Sequence, residues 1–517
     1  MTYNSVFLSD APVVKVTNIF NNPYANSVAT ARTCYSSKII SVDDVLKNTE
    51  QMNRIATSTY DAGHHTTLQH TSVQFSLTNI SRHFVWAFLH DNSNYNSEEM
   101  SQRFVKMRPD SVIVPKFETE SALQAYTSKT KELFEVYEKL IELLTPAVDK
   151  EYYKIFPARQ GKDKYASNVR KKAQEVARYV LPIGMYSSMY HTVPLITLLR
   201  YNRMCLQNEV ADESFFVVQE MIDQVVKYDP NLLNLIEDPL AMSECLETKM
   251  ADFNNHMIVK KHQPFYDQFD EHFTDGFKFS KLISYTQGAE ELLRTGFNEM
   301  FGLDYATNNA IITMLSAKHN PLLTEKMNVL MHSKIGQCLK QVSYTFKKRL
   351  SHTGDSQNKR HRTVSGARLP LYYPASPDYM VPELIRHVPE AEELYRKTVE
   401  SIWSCIDQHF IDIESPTLFM YLLPNAVNVR MTETGNLMDL WHKYKMRLCY
   451  NAQEEIWRAS VEEVQQIRKV HPYIGHCLLP PCTIRKMGGA MPFCPEGDRY
   501  CGVPVWNYDL SSYERLI

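Results

Sequence analysis

Three arginines, a lysine and a histidine share the segment Gln357-Asn358-Lys359-Arg360-His361-Arg362-Thr363-Val364-Ser365-Gly366-Ala367-Arg368. Like charges this close repel one another unless an anion lies among them, and the arginine fork matches phosphate oxygens two at a time. Residues 352–356, just before it, are polar and turn-prone, which predicts a loop. A basic run taken alone is more often a solvated loop. The particular order Arg-His-Arg-x-x-Ser distinguishes this run from an ordinary basic loop.

Composition limits the class of protein. The chain has 517 residues, 44% of them hydrophobic and 22% charged, which is ordinary for a globular protein of two or three domains. Its net charge of −3 argues against a protein whose main task is to coat nucleic acid. We find neither a membrane-length apolar run nor a secretory signal, so the sequence predicts a cytoplasmic protein without membrane contact. The 10 cysteines are then expected to be thiols or metal ligands.

Helical periodicity dominates the rest of the chain. Residues 71–78 alternate polar and apolar side chains and predict a strand with one buried face. Amphipathic patterns predict helices at 121–144, 164–179, 193–223, 290–301, 323–346 and 388–408, and a final long helix from 437 to 456.

The two halves of the chain echo one another. Val180-Leu181-Pro182 and Leu422-Leu423-Pro424 stand 242 residues apart, and Thr192 and Thr434 share that offset. Each follows a predicted long helix. The repeat is too long for a solenoid and suggests a duplicated domain.

The predicted last helix carries a polar stripe beside its apolar face. Asn436, Lys443, Arg447 and Asn451 follow one another at helical spacing. An ordinary core helix with a solvated flank is one interpretation. The other is that Arg447 points into a cleft, where a guanidinium can stabilise a carbonyl or enolate oxygen as negative charge develops.

Cysteines are enriched at the end of the chain. Cys477, Cys482, Cys494 and Cys501 lie among prolines and glycines. Four thiols in a loop-rich segment suggest a structural zinc site. Their spacing is wider than in tight zinc motifs, so unrelated free thiols stay an equal alternative.

Several motifs resemble those of the flavin-dependent thymidylate synthases. Residues 360–365 resemble the first half of the family signature, Arg-His-Arg-x-x-Ser, but the expected Asn-Glu-x-Ser-x-Arg-Tyr does not follow. Instead the first half of the chain supplies Glu99-Met100-Ser101-Gln102-Arg103-Phe104, which resembles that second part. Other similar segments are Gly63-His64-His65-Thr66, Ala177-Arg178-Tyr179-Val180-Leu181-Pro182 and Met446-Arg447-Leu448-Cys449-Tyr450-Asn451-Ala452-Gln453-Glu454-Glu455-Ile456.

The resemblance implies an α+β fold of two tandem family domains, each with long helices around a small sheet. We expect a first domain at 1–235, a connection at 236–275, a second domain at 276–470 and a Cys-rich tail at 471–517. Because the family builds each site from several subunits, the surviving motif parts of the two copies are expected to complement one another. A homo-oligomer, such as a dimer of duplicated chains, is expected.

The implied activity is reductive methylation of dUMP to dTMP with methylenetetrahydrofolate, FAD and NADPH. The implied catalytic residues are Arg447, Arg360 and Gln357. The implied substrate ligands are Ser101, Arg103, Arg178 and Glu99. The implied FAD contacts are His64, Thr66, Arg360, His361, Arg362, Ser365, Asn436 and Asn451.

Two other functions stay open from the sequence. Phe104, Met438 and Asn451 depart from the family pattern, which leaves room for a related flavoenzyme acting on another uridine nucleotide or on uracil in RNA. A non-enzymatic, zinc-containing nucleic-acid-binding protein is the second alternative. Net charge and the lack of aromatic residues around Arg360 argue against it.

Overall fold

The computed structural model describes residues 3–517 apart from 93, 163–164, 208–211, 237–240, 247–248, 250–257, 274–275, 304–307, 370, 372–375 and 411–415. The described residues form many helices and two four-stranded antiparallel sheets, which confirms the predicted α+β class. Across those ranges every helix is too short or too polar to cross a membrane.

The first sheet comes from the first half of the chain. Its strands are β1 (Val13–Ile19), β2 (Ser72–Ser81), β3 (Asn96–Glu99) and β4 (Tyr186–Pro194), in the order β1-β2-β4-β3. The strand predicted at 71–78 is confirmed as β2. Val73, Phe75 and Leu77 are buried on its core face, as strict alternation requires.

The second sheet repeats this order in the second half. Its strands are β5 (Ser280–Tyr285), β6 (Ser343–Ser351), β7 (Ser365–Arg368) and β8 (Asn428–Asn436), in the order β5-β6-β8-β7. Phe75 pairs with His191 in the first sheet, and Phe346 pairs with Glu433 in the second. Because His191 and Glu433 are 242 residues apart, the echo read from the sequence coincides with this structural repeat.

The longer helices flank these sheets. In chain order they are Pro23–Thr33, Thr49–Asp61, Glu120–Ile155, Ala166–Ala177, Leu195–Gln207, Asp212–Tyr228, Ile258–Asp270, Ala289–Phe301, Asn308–Leu315, Pro389–His409, Leu437–Arg447 and Glu454–Val470. Shorter helices that bear on the site are Lys334–Leu339, His352–Asn358, Pro472–His476 and Pro481–Met487.

The chain folds into two compact units, and each unit contains a segment from the other half of the sequence. The first unit comprises 1–134, 182–261 and 402–423; the second comprises 135–181, 262–401 and 424–517. The linear domain boundaries expected from the sequence stay a prediction. Part of the expected connection, 236–275, lies outside the described residues.

A buried glutamate ties the exchanged segment into each unit. In the first unit Glu213 accepts hydrogen bonds from the Ser81 amide (2.6 Å), the Ser81 hydroxyl (2.5 Å) and Tyr421 Oη (3.1 Å). Tyr421 belongs to the exchanged segment. The three donors satisfy a carboxyl group that would otherwise be costly to bury.

The second unit repeats this arrangement. Glu455 accepts from the Ser351 amide (2.5 Å), the Ser351 hydroxyl (2.6 Å) and Tyr179 Oη (2.7 Å). Tyr179 is here the residue from the exchanged segment. The exchange therefore places equivalent tyrosines, 242 residues apart, in equivalent surroundings.

Four predicted elements were wrong. Residues 193–223 end strand β4 and then form two helices, and residues 323–346 contain only short helices before β6 starts at Ser343. Apolar residues with β-branched neighbours fit either period over short runs, so tertiary pairing decides between them. Residues 352–356 begin a helix rather than a loop because Ser351 caps it, its side chain accepting from the Gly354 amide. The predicted last helix is two helices with a break at 448–453.

Candidate functional site

Arg447 is the last residue of the helix Leu437–Arg447 and is half-buried. Its Nε donates to His361 Nε2 at 2.7 Å, and its Nη2 donates to the backbone carbonyl of Gln357 at 2.9 Å. A cation is favourable at a helix C-terminus because the last carbonyls carry partial negative charge. The structure thus joins three predicted site residues in one hydrogen-bonded group.

His361 is held neutral in this group. Loss of hydration, followed by the charges of Arg447 and Lys443, keeps the pKa of His361 well below its usual value. Since Nε2 accepts from Arg447, the ring proton of the neutral form is assigned to Nδ1. The histidine therefore orients the guanidinium without adding a second positive charge.

Gln357 offers an acceptor beside Arg447. It lies in the helix His352–Asn358, and its side-chain Oε1 is buried with no hydrogen-bond partner among the residues that the structure describes. Arg360 and Arg362 follow in an exposed turn, and Ser365 opens strand β7 on the surface. A buried acceptor next to a fixed cation and two exposed arginines can bind a planar, anionic ligand.

A buried ionic network, which we call the charge tetrad, contacts the end of the helix that carries Gln357. It consists of Lys348, Glu433, Lys443 and Glu463, all at most 2% exposed. Lys348 Nζ lies 2.6 Å from Glu463 and 3.2 Å from Glu433; Lys443 Nζ lies 3.2 Å from Glu463 and also binds Glu433. Two cations and two anions leave the tetrad neutral, which is what makes its burial tolerable.

Within the tetrad, Lys348 and Glu433 are held in their ionised forms by their partners, whereas burial lowers the pKa of Lys443. Burial opposes the charge of Glu433, but Lys348 and Lys443 together lower its pKa below the usual range. Burial also opposes the charge of Lys348, while Glu433 and Glu463 raise its pKa. Asn358 donates to Glu433 at 2.5 Å and accepts from Lys348 at 3.2 Å, so the tetrad fixes the end of the helix that carries Gln357.

Two predicted FAD contacts, Asn436 and Asn451, and one predicted substrate ligand, Arg178, have hydrogen-bond partners within the second unit. Asn436 caps the helix of Arg447, its Oδ1 accepting from the Asp439 amide at 3.0 Å. Asn451 donates to the backbone carbonyl of Arg499 in the tail at 2.6 Å. Arg178 is buried, with Nη2 donating to Gln453 at 3.2 Å. The proposed ligand roles of these three residues stay predictions.

The predicted residues of the first unit lie in two segments of the chain, 99–103 and 64–66. Glu99 binds Arg82 Nη1 at 2.5 Å and accepts from the Ser187 hydroxyl at 2.9 Å. The Ser101 hydroxyl accepts from the Arg103 amide at 3.3 Å. His64 and Thr66 are exposed near the short turn His65–Gln69.

Three of the four tail cysteines predicted as metal ligands lie together, and the fourth lies elsewhere. Cys482, Cys494 and Cys501 line a small cavity together with Cys449, which follows the helix of Arg447. Cys477 instead packs in the apolar core with Ile474 and Leu478. Within the described ranges, no group of three or more His, Cys, Asp or Glu side chains is arranged to hold a metal ion as it stands.

Sequence reasoning missed the charge tetrad and Cys449. Lys348 and Glu433 occupy inward positions of strands β6 and β8, so a charge at a position that alternation reserves for the core was the available signal for both. For Cys449 no such signal existed, because only the packing of the tail brings it close to the other thiols.

Comparisons with known proteins agree with this picture of a repeated domain. The family model described as "Thymidylate synthase complementing protein" matches twice, at residues 15–231 and 281–473. A flavin-dependent thymidylate synthase of Saccharolobus solfataricus is 27% identical over 218 residues, which cover 40% of this chain and 78% of that protein. One from Clostridium tetani is 24% identical over 241 residues, covering 46% and 92%.

A solved structure of a UMP/dUMP methylase from Streptomyces cacaoi bound to 5-bromo-dUMP is 17% identical, with a TM-score of 0.31, covering 44% of this chain and 94% of that one. The two family matches together extend over well more than half of the residues. The chain therefore belongs to the thymidylate synthase complementing protein family and carries the family domain twice.

Proposed function

We propose that this chain catalyses the flavin-dependent reductive methylation of dUMP to dTMP. Two observations support the proposal: membership of the family, and relatives named flavin-dependent thymidylate synthase that align over most of their own length. The single observation that carries it within the structure is the group of Arg447, His361 and Gln357.

Arg447 is proposed to polarise the pyrimidine. When a hydride or another nucleophile adds to carbon 6 of the uracil ring, negative charge develops on the carbonyl oxygen at carbon 4 and carbon 5 becomes nucleophilic. A guanidinium already fixed by His361 and the Gln357 carbonyl stabilises that charge without reorganising. Gln357 Oε1, a buried acceptor, suits the N–H group next to that carbonyl. Arg360 adds positive charge nearby in the chain.

The residues present fit a flavin at the same place. Arg362 and Arg360 are exposed in the turn that follows the helix His352–Asn358, where a diphosphate would find two guanidinium groups. His361, Ser365, Asn436 and Asn451 are the other proposed FAD contacts of the second unit, and His64 and Thr66 are the proposed FAD contacts of the first unit. The chemistry asked of a bound FAD is hydride transfer, with NADPH as its reductant and methylenetetrahydrofolate as the carbon donor.

Ser101, Arg103, Arg178 and Glu99 are the proposed ligands of the nucleotide. Serine and arginine side chains suit a phosphate, to which both can donate hydrogen bonds. Replacement of Arg103 by alanine is expected to raise the KM for dUMP more than it lowers kcat, because a phosphate contact acts equally in ground and transition states. We further propose that the chain forms a homo-oligomer in the cytoplasm.

The deciding experiment is spectroscopic. Purified full-length protein, supplied with FAD, should show the visible absorbance of an oxidised flavin that is perturbed by dUMP. With NADPH and methylenetetrahydrofolate it should convert dUMP to dTMP. A protein that binds no flavin under these conditions would refute the proposal.

A different pyrimidine substrate is the second candidate. Met438, which stands where the family motif has an arginine, is fully buried in the apolar core, so this unit lacks that cation. Parallel assays with dUMP, UMP and a uracil-containing RNA decide the matter. Turnover of UMP or RNA in preference to dUMP would replace the main proposal with this one.

A further inference from the structure

Four cysteines from three separate segments surround one cavity in the second unit. Cys449 follows the helix Leu437–Arg447, Cys482 lies in the helix Pro481–Met487, and Cys494 and Cys501 lie on either side of the turn Gly497–Arg499. The cavity has a volume of about 10 Å³, which is room for about one water-sized occupant.

The walls of this cavity favour a thiophilic cation. Besides the thiols, the walls are formed mainly by leucine, valine, proline and tyrosine side chains, together with Asn451 and Glu496. Four sulfur ligands in a tetrahedral arrangement are typical of structural zinc. Water has few polar partners in such a place, whereas zinc binds thiolates strongly.

The cavity lies where the tail packs against the segment that follows Arg447. The second family match ends at residue 473, so three of the four cysteines lie in the tail outside it and only Cys449 lies inside. The tail meets the same segment through an apolar cluster of Tyr450, Ala452, Trp457, Cys482 and Val505, and through the bond from Asn451 to Arg499. An ion bound here would fasten the tail to the segment immediately after Arg447.

We propose that Cys449, Cys482, Cys494 and Cys501 bind one zinc ion that fastens the tail to the end of the Arg447 helix. The thiols surround the cavity without yet forming a ready ligand set, so binding turns them inward about their side-chain bonds. Each thiol that becomes a ligand releases its proton to solvent, and four thiolates with Zn²⁺ carry a net charge of −2. This donor set replaces Cys477 of the sequence prediction by Cys449.

The experiment measures metal in the full-length protein. Protein expressed with added zinc, and then dialysed, should contain about one zinc per chain by elemental analysis. Cys449→Ser and Cys482→Ser should each lose most of their zinc in the same dialysis, because each removes one of the proposed ligands. Cys477→Ser is the matched control, since it removes a buried thiol of the same tail outside the cavity, and its zinc content should equal that of the parent protein.

A second measurement does not depend on how the variants fold. Titration of the parent protein with a mercurial that modifies thiols should release its zinc, and cadmium exchanged for zinc should show a near-ultraviolet thiolate band. Absence of zinc, or zinc that persists in Cys482→Ser, would overturn the proposal. So would disulfides among these four cysteines in protein kept under reducing conditions, or equal zinc loss in Cys477→Ser. None of these results depends on turnover of dUMP.

Discussion

The two units have the same sheet order and the same buried glutamate, yet they differ in the middle of the sheet. The second unit buries the charge tetrad Lys348, Glu433, Lys443 and Glu463. By strand register and by the offset of 242 residues, the corresponding residues of the first unit are Leu77, His191, Tyr201 and Met221. There, Tyr201 Oη and His191 Nε2 are 3.3 Å apart, and the ring of Tyr95 lies against His191.

The tetrad of the second unit is an arrangement that is costly to bury. Buried ion pairs often stabilise a fold no better than apolar residues of the same size, and the first unit has Leu77, His191, Tyr201 and Met221 at the positions equivalent to the tetrad. The tetrad instead fixes Asn358, and its Lys443 lowers the pKa of His361 together with burial and Arg447, while Glu433 acts in the opposite direction. At the position equivalent to Arg447 the first unit has Cys205, a buried thiol whose pKa burial raises to about 12. We infer that the second unit carries the catalytic cation.

The largest effect is expected from breaking the tetrad. Lys443→Met leaves two buried carboxylates facing Lys348 alone, which should lower the free energy of unfolding by about 3–5 kcal/mol. Tyr201→Phe, at the equivalent position of the first unit, removes one hydroxyl and should cost about 1 kcal/mol. Urea denaturation of both variants measures the two values. Equal losses would show that the units do not differ in this respect.

Removal of Arg447, the proposed catalytic cation, should have the next largest effect. Arg447→Ala is expected to lower kcat about 10²- to 10³-fold, equivalent to about 2.7–4 kcal/mol, while the protein still binds flavin. Cys205→Ala, its counterpart in the first unit, should leave kcat unchanged. Steady-state dTMP formation gives both numbers. A full loss of activity in the cysteine variant, with the arginine variant active, would reverse the assignment of the units.

The buried glutamates should make stability depend on pH. Burial raises the pKa of Glu213 from 4.5 to about 7, against the effect of its hydrogen-bond donors. The folded state therefore binds more protons than the unfolded state in this window, and stability is greatest below it. As pH rises from 4.5 to 7, this residue should lower the free energy of unfolding by up to about 3 kcal/mol.

Urea unfolding at several pH values measures how steeply the free energy of unfolding depends on pH, and Glu213→Gln should reduce that dependence. Burial raises the pKa of Glu455 in the second unit as well. In Glu213→Gln the free energy of unfolding should therefore still decrease as pH rises, although less steeply. A slope unchanged by Glu213→Gln would show that this residue does not titrate in the window.

The smallest effect concerns His361. Its imidazole NMR signals should not shift between pH 6 and pH 8, because its pKa lies well below its usual value. In Arg447→Ala the nearest cation is gone, so the pKa of His361 should rise. The imidazole signals of His361 are assigned as those that disappear in the spectrum of His361→Gln. Titration of the parent His361 near its usual pKa would contradict the geometry around Arg447.

Local patterns in the sequence were enough for part of this picture. Alternation identified β2, helical periodicity identified 290–301 and 388–408 closely, and the motifs around Arg360 and Arg447 indicated the family. These features depend on neighbours in the chain, and a periodic pattern or a short motif records them directly. The bond between Arg447 and His361 was not visible, although both residues were singled out.

Pairing between distant segments was beyond those patterns. The break at 448–453, the start of β6 and the helix at 352–358 are decided by which surfaces become buried, and that depends on the whole unit. The exchange of Tyr179 and Tyr421 between halves, and the gathering of Cys449 with the tail thiols, have no local signature.

From the amino-acid sequence alone came the duplication, through matching segments 242 residues apart, and the family resemblance with the α+β class that it implies, through short motifs that also contain the cationic residues. Only the tertiary structure decided which charges face one another in the buried tetrad, which thiols share a cavity and which half of the chain supplies each tyrosine. The physical reason is that burial and electrostatic pairing depend on distances in space, and chain separations of tens to hundreds of residues do not determine those distances.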